Sequence, residues 1–299
     1  MNLSKNDLRI VDLLQQSVST GNPCLDLSYE RLGDISILFL TRMKDLSHLT
    51  ELNLSWNELT NKSIEALAQC NSLTSLSTLI LDANEITDEG VQSIAESKIL
   101  SSLKILSLTK NQVGDSGALA LIKSENLCQL STLDLELNQI GKERLTKFPD
   151  GTAIASLSRL NLRRNQIEDG TILDWLQSGA FIPLKHLNLG WNKISDVGTV
   201  ALAKSPMFTG LEELILDSNS IGDEGATAIA QSKHMKSLIV LELYDNSFSQ
   251  SSATALMDFR IRTLITRHLS GTELILSGKN LGSKGLKSLA QSDMLVGIE

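Results

Sequence analysis

Residues 184–194 read LKHLNLGWNKI, and 27 residues further on residues 211–221 read LEELILDSNSI. The frame they share is L-x-x-L-x-L-x-x-N-x-(L/I/V/F). Toward the N-terminus it returns as LSRLNLRRNQI (157–167), LSTLDLELNQI (130–140), LKILSLTKNQV (103–113), LSTLILDANEI (76–86) and LTELNLSWNEL (49–59). Toward the C-terminus it returns once more, as LIVLELYDNSF (238–248), so every interval is 27 residues. The L-x-L pair has period 2, which predicts a short strand with both leucines on one side and the intervening residues on the other. Stacked copies then form a parallel sheet advancing about 4.8 Å per repeat. Each copy ends on an asparagine: Asn57, Asn84, Asn111, Asn138, Asn165, Asn192, Asn219 and Asn246. An amide both donates and accepts, so this column is expected to satisfy backbone groups of its own turn and the adjacent one. Losing one such residue should cost about 1–3 kcal/mol.

Between the strands the period changes. IGDEGATAIAQSKHM (221–235) places Ala226, Ile229, Ala230 and Met235 near one helical stripe. Asn61, Asp88, Asp115, Asp169, Asp196 and Asp223 precede these stripes and are expected as N-caps. Small residues close them: Cys70, Ser97, Ser124, Ser178, Ser205 and Ser232. Trp175 falls in the helix column of Leu67, Ile94, Leu121, Leu202 and Ile229 and belongs to the core. A helix is about 10 Å across, twice the strand spacing, so a stack with helices on one side must bend with its strands inside.

The pattern resembles the leucine-rich repeat family over residues 22–299, and the helical side resembles its ribonuclease-inhibitor-like subclass. The resemblance implies an α/β right-handed solenoid, a horseshoe with a parallel sheet on the concave face and helices on the convex face. Residues 1–21 are read as a capping helix, with Leu8, Ile10, Val11, Leu13 and Leu14 as its apolar residues. The repeats occupy 22–248, the first (NPCLDLSYERL, 22–32) being degenerate. Residues 249–299 are read as an extended helical segment, a degenerate last repeat (GTELILSGKNL, 271–281) and a C-terminal cap. Degenerate ends suit a solenoid, whose terminal coils have one neighbour only. The stretch 139–156 departs from the pattern: Lys142 takes the cap column, and Pro149 should stop the helix by Phe148. Lys142, Arg144 and Lys147 there form either a basic knob or tolerated drift.

Apolar residues make up 41% of the 299, aromatics only 4%, which points to many similar packing layers rather than an aromatic-centred core. Net charge is −8, so attraction to a phosphate backbone is not the driving force for binding, and no nucleic-acid partner is expected. No apolar run approaches a membrane span, and the start reads as no secretory signal. Cys24, Cys70 and Cys128 show no paired spacing, and His48, His186, His234 and His268 form no metal motif. No disulfide, metal or cofactor is expected, and the chain is assigned to a reducing, cytoplasmic compartment.

Two of the three tryptophans, Trp56 and Trp191, stand immediately before the ladder asparagine, and Tyr29 stands there in the first repeat. The same column holds Ala83, Lys110, Leu137, Arg164, Ser218 and Asp245, so packing does not demand an aromatic. Each Trp either lies flat over neighbouring turns or anchors a partner, and exposed Trp, Tyr and Arg are enriched in binding hot spots. The outward columns also carry charge in blocks: Asp134 and Glu136, then Arg159, Arg163, Arg164 and Lys185, then Glu212, Glu213, Asp217, Glu242 and Asp245. These blocks either attract one another or set the register of a partner. The resemblance implies a non-enzymatic module that binds another protein on its concave face. Tyr29, Trp56, Asp134, Glu136, Arg163, Arg164, Trp191, Asp217, Tyr244 and Asp245 are the contact candidates. Some bacteria deliver short leucine-rich repeat proteins into host cells as effectors, a role compatible with a lone repeat domain. One subclass member stimulates GTP hydrolysis by the Ran GTPase, so the alternative is a GTPase-activating protein. In that case Arg163 or Arg164 would neutralise transition-state charge. No motif singles out either arginine, and no catalytic residue is assigned.

Overall fold

The structure, a computed structural model, describes residues 5–43, 46–142, 155–177, 184–270 and 273–274. It divides into two compact units, Met1–Gln166 with Gln177–Ile182 and Ile167–Leu176 with Pro183–Glu299. In the first unit α1 (Lys5–Thr20) leads into β1 (Cys24–Asp26), α2 (Gly33–Leu40), β2 (Glu51–Asn53), α3 (Asn61–Ala68) and β3 (Thr78–Ile80). Then come α4 (Asp88–Glu96), β4 (Ile105–Ser107), α5 (Asp115–Ile122), β5 (Thr132–Asp134) and β6 (Arg159–Asn161). The second unit holds α6 (Asp169–Gln177), β7 (His186–Asn188), α7 (Asp196–Lys204), β8 (Glu213–Ile215), α8 (Asp223–Ala230), β9 (Val240–Glu242) and α9 (Gln250–His268).

Within each unit the strands pair in parallel at a shift of 27 residues, Leu25↔Leu52↔Leu79↔Leu106↔Leu133↔Leu160 in one and Leu187↔Leu214↔Leu241 in the other. The central leucine of each strand is buried while its two neighbours face outward, half-exposed or exposed. Each repeat stacks its leucines on those of the next, and Leu52, Leu106, Leu133 and Leu214 are wholly inaccessible. Truncating one of these to alanine should cost about 2–5 kcal/mol.

The strands are three residues long because the chain turns three residues after each strand ends. The residue before the ladder asparagine is left-handed in every described repeat: Tyr29, Trp56, Ala83, Lys110, Leu137, Arg164, Trp191, Ser218 and Asp245 all have φ between 52° and 61°. This conformation costs an L-residue roughly 1–2 kcal/mol. It persists because the backbone on both sides is pinned. The Trp56 N–H donates to the Asp82 carbonyl at 2.8 Å, and the Trp191 N–H to the Asp217 carbonyl at 2.7 Å. The asparagine closes the turn. Asn111 Nδ2 donates to the carbonyls of Leu81 (3.0 Å) and Leu108 (3.1 Å), while its Oδ1 accepts from Ile86 N–H at 3.1 Å. Asn84, Asn138 and Asn165 repeat this in the first unit and Asn219 and Asn246 in the second. Asn57 accepts from two backbone N–H groups of the first repeat, Glu30 and Leu32, and Asn192 Oδ1 accepts from Ile167 N–H. In the first repeat Glu30 holds this column and pairs instead with Arg9 of α1 at 3.4 Å.

The helix side differs from the expectation by one residue. Asn61, Asp88, Asp115, Asp169, Asp196 and Asp223 are the first helical residues, and the caps precede them as Thr60, Thr87, Gly114, Ser195 and Gly222 for five of the helices. These side chains reach forward instead. Oδ1 of Asp34, Asn61, Asp88, Asp115, Asp169, Asp196 and Asp223 accepts the backbone N–H of the residue 26 positions later, at 2.6–3.0 Å. Each thereby satisfies a donor at the start of the following repeat's helix segment, where an anion is also favoured. A third ladder runs at the helix ends: Ser97, Ser124 and Ser232 donate to the carbonyls of Ala68, Ala95 and Ala203 at 2.5–2.6 Å.

In α1 the buried stripe is Ile10, Leu14 and Ser17, and Leu8, expected to pack, is half-exposed. Ile10, Leu14 and Ser17 follow i, i+4 and i+3 spacing, which leaves Leu8 off that line. After α9, β10 (Leu269–Ser270) pairs antiparallel with β11 (Glu273–Leu274), where a parallel last strand was expected. The rest of the expected last repeat and cap, Ser178, Arg144, Lys147 and Pro149 all lie outside the described residues.

Candidate functional site

The sheet has one face packed on the helices and one open. Twelve large apolar side chains are exposed among the described residues, and seven of them lie on the open face or its left-handed turn: Tyr29, Trp56, Ile105, Leu137, Trp191, Val240 and Tyr244. The other five are spread over α1, α2 and α7. In the first unit Tyr29 (68% exposed) and Trp56 (43%) stack, with ring centroids 5.4 Å apart and planes 13° from parallel. Lys110, two repeats further on, lays its Nζ over the Trp56 ring, 3.9 Å from the centroid. Ala83 stands between them in the same column and leaves the room. Trp56 thus does both things the sequence left open: it lies against its neighbours and keeps much of its surface outside.

The charged blocks largely answer one another. Arg163 Nε approaches Glu136 Oε1 at 3.8 Å, and Asn161 Nδ2 donates to both carboxylate oxygens of Asp134 (3.1 and 3.0 Å) and to Glu136 (3.3 Å). In the second unit Lys185 meets Glu212 at 3.5 Å, and His186 Nδ1 meets Glu213 Oε2 at 3.1 Å. Such partly exposed pairs contribute about 0–1 kcal/mol each, so they organise the surface more than they stabilise it. Arg163 therefore faces a carboxylate of its own sheet.

One candidate is corrected. Asp217 is buried, with 8% of its surface exposed. Its column, two residues before the ladder asparagine, sits in the angle between strand and left-handed turn, and Ser55 and Gly190 are buried there too. Alternation along a strand cannot reveal this, because the strand has already ended. Tyr244 escapes from the same column (69% exposed), and Asp245 beside it is exposed.

Asp82, which the sequence reading passed over, is the most perturbed acid of the open face. Burial pushes its carboxyl above the ordinary range, and the nearby Asp134 charge adds to this. Bonds from Ser107 Oγ (2.5 Å) and Thr109 N–H (3.0 Å) offset only part of it. Lys110 and Ile105 were also missed as members of the surface. Their signal was present in the outward columns but not in any period.

Residues 45–68, 72–95, 100–121, 182–203 and 210–230 match the leucine-rich repeat family model. The fold is a leucine-rich repeat solenoid. Solved structures agree. An internalin (inlF) from Listeria monocytogenes superposes with a TM-score of 0.52 at 20% identity, over 81% of this chain and 66% of that one. An internalin C2 (inlC2) from the same organism gives 0.50 at 23% identity, over 74% of this chain and 86% of that one. At these identities the likeness concerns the fold alone. No curated protein sequence matches. Leucine-rich repeats generally serve protein–protein interaction, and the open face described above is the part of these repeats that varies while the leucines and asparagines do not. Among the described residues no three metal-binding side chains gather, and no helix is long and apolar enough to cross a membrane.

Proposed function

We propose that the protein is a non-enzymatic binding module that holds another protein against the open face of its sheet. The observation that carries this is the placement of exposed apolar surface: aromatic side chains stand at left-handed positions where no packing requirement calls for them. Tyr29, Trp56, Arg164, Trp191, Tyr244 and Asp245 supply the contacts, and Asp134, Glu136 and Arg163 the polar frame. The strand backbone is hydrogen-bonded on both sides, so the surface is ordered before binding and little entropy is lost on docking. Cys24, Cys70 and Cys128 are free thiols, two of them exposed, which supports a reducing compartment, the cytoplasm of the producing cell or of a host.

The test separates the two faces. Ile105→Arg places a charge on the open face, and Val197→Arg does so on the helix side (58% exposed). A partner captured by the wild type and by Val197→Arg, but not by Ile105→Arg, supports the reading. Retention by Ile105→Arg with loss by Val197→Arg moves the binding surface to the helices. For a partner so identified, Trp56→Ala and Trp191→Ala should each weaken binding by about 2 kcal/mol.

A further inference from the structure

The left-handed column of the first unit begins Tyr29, Trp56, Ala83, Lys110 and continues with Leu137 and Arg164. Strand spacing puts Lys110 about 10 Å from Trp56 along the stack, and its stem crosses above Ala83 to bring the ammonium onto the indole. Tyr29 is stacked on Trp56 from the preceding repeat, while Lys110 reaches it from the following side. Lys110 is an exposed residue. Glu58 and Glu85 are exposed one position after their ladder asparagines, in the column that begins with Arg31, and Asp82 precedes Ala83. Lys104 precedes β4 at the opposite end of the strand, the end at which β2 begins with Glu51. The protein itself seats a cation on this aromatic face, so the face is one that a cation fits.

We propose that the Trp56 face above Ala83 is a cation-recognition slot, that Lys110 is its resident occupant, and that the partner is a basic protein whose arginine or lysine side chain displaces Lys110. The proposal rests on the open-face reading above and names the partner's chemistry. On docking, the incoming cation takes the indole face, and Lys110 swings away into water. A guanidinium suits the slot best, since it is planar, stacks on aromatic rings and is more weakly hydrated than an ammonium. The small side chain of Ala83 provides the floor on which such a group lies.

The experiment titrates the full chain with two fluorescein-labelled probes, a hexa-arginine and a hexa-glutamate peptide, near physiological salt. Circular dichroism confirms that each variant is folded. The wild type should bind hexa-arginine and not hexa-glutamate. Trp56→Ala should weaken hexa-arginine binding by roughly fivefold or more. Lys110→Ala should strengthen it, and by more than Lys104→Ala, which removes the same charge from the same repeat outside the slot. The proposal is overturned if hexa-arginine fails to bind, or binds Trp56→Ala as tightly as the wild type. It is equally overturned if Lys110→Ala gains no more than Lys104→Ala, or if hexa-glutamate binds the wild type and is lost in Lys110→Ala. Those results would leave the open-face reading to the Ile105→Arg and Val197→Arg comparison, which reads the face rather than the slot.

Discussion

Asp34 and Asp82 belong to the same unit and to opposite sides of the repeat, and their carboxyls are displaced in opposite directions. Burial alone would raise Asp34, but Ser63 Oγ (2.5 Å), Thr60 Oγ1 (2.6 Å) and Thr60 N–H (2.9 Å) outweigh it and hold the group below the usual range. Asp82 has two comparable donors, yet burial and Asp134 keep it above that range. On the helix side charge is recruited to satisfy backbone donors and therefore stabilises. On the open face Asp82 also accepts a backbone donor, Thr109 N–H, but burial and the nearby Asp134 charge outweigh that bond.

The largest effect should come from the ladder that leaves no alternative. Asn111→Ala strands the Ile86 N–H in a site only 7% exposed and leaves the Leu81 and Leu108 carbonyls to Asn84 and Asn138 alone, so unfolding in urea should show a loss of about 2 kcal/mol. Asp88→Ala removes the acceptor of Gly114 N–H on the more open helix side and should cost about 1 kcal/mol. Equal losses would erase the distinction between a buried ladder and an exposed one. Next comes Gly117. Alanine in a helix normally gains about 1 kcal/mol over glycine, but a Cβ here would lie 2.5 Å from Asp88 Oδ1 and 2.9 Å from Val113 Cγ1. Gly117→Ala should therefore destabilise the wild type by about 1 kcal/mol and less in an Asp88→Ala background, where the Val113 methyl still stands in the way. An equal loss in both backgrounds would mean that the carboxylate is not the obstacle.

The repeat, the strand phase and the asparagine column were legible because every coil must present the same leucines and the same amide to a like neighbour. What was not legible is what repeats in conformation without repeating in chemistry. The left-handed column holds Tyr, Trp, Ala, Lys, Leu, Arg, Trp, Ser and Asp at one φ, since hydrogen bonds before and after it impose the turn whatever the side chain. The aspartates were seen but assigned to their own helix, because a cap bond that reaches 26 residues forward leaves no local mark. Lys110 on Trp56 spans 54 residues across an alanine, and only coordinates show it. Asp217 looked exposed because alternation was carried past the end of a three-residue strand.

The opposed carboxylates separate further with pH. Asp34 has a folded pKa below its unfolded value, so its contribution is complete above about pH 4 and is lost as pH falls through the folded pKa. Asp223, lowered by Ser252 and Ser249, behaves alike. Asp82 has the opposite sign. Its folded pKa is raised, so the stability it offers when protonated is full in acid and is lost as pH rises through that value. Melting curves should therefore show Asp34→Asn below the wild type at pH 7, with the gap closing in acid. Asp82→Asn should match or exceed the wild type at pH 7 and lose any advantage in acid. A destabilised Asp82→Asn at pH 7 would mean that the open-face charge is structural after all.

The smallest effect should be at Trp56 itself. Alanine removes a stacked tyrosine and a surface cation–π contact, together worth about 1 kcal/mol at this exposure. Glycine removes the same contacts but also relieves the left-handed backbone, φ 61° at this residue, a gain of about 1 kcal/mol. Trp56→Gly should accordingly melt within a degree or two of the wild type and above Trp56→Ala. A fold that melts alike with glycine draws no net stability from an indole there, since backbone strain offsets its contacts, which leaves the exposed ring to contacts outside the chain. If Trp56→Gly instead costs as much as Asn111→Ala, the indole is a packing residue, and the aromatic row loses its standing as a binding surface.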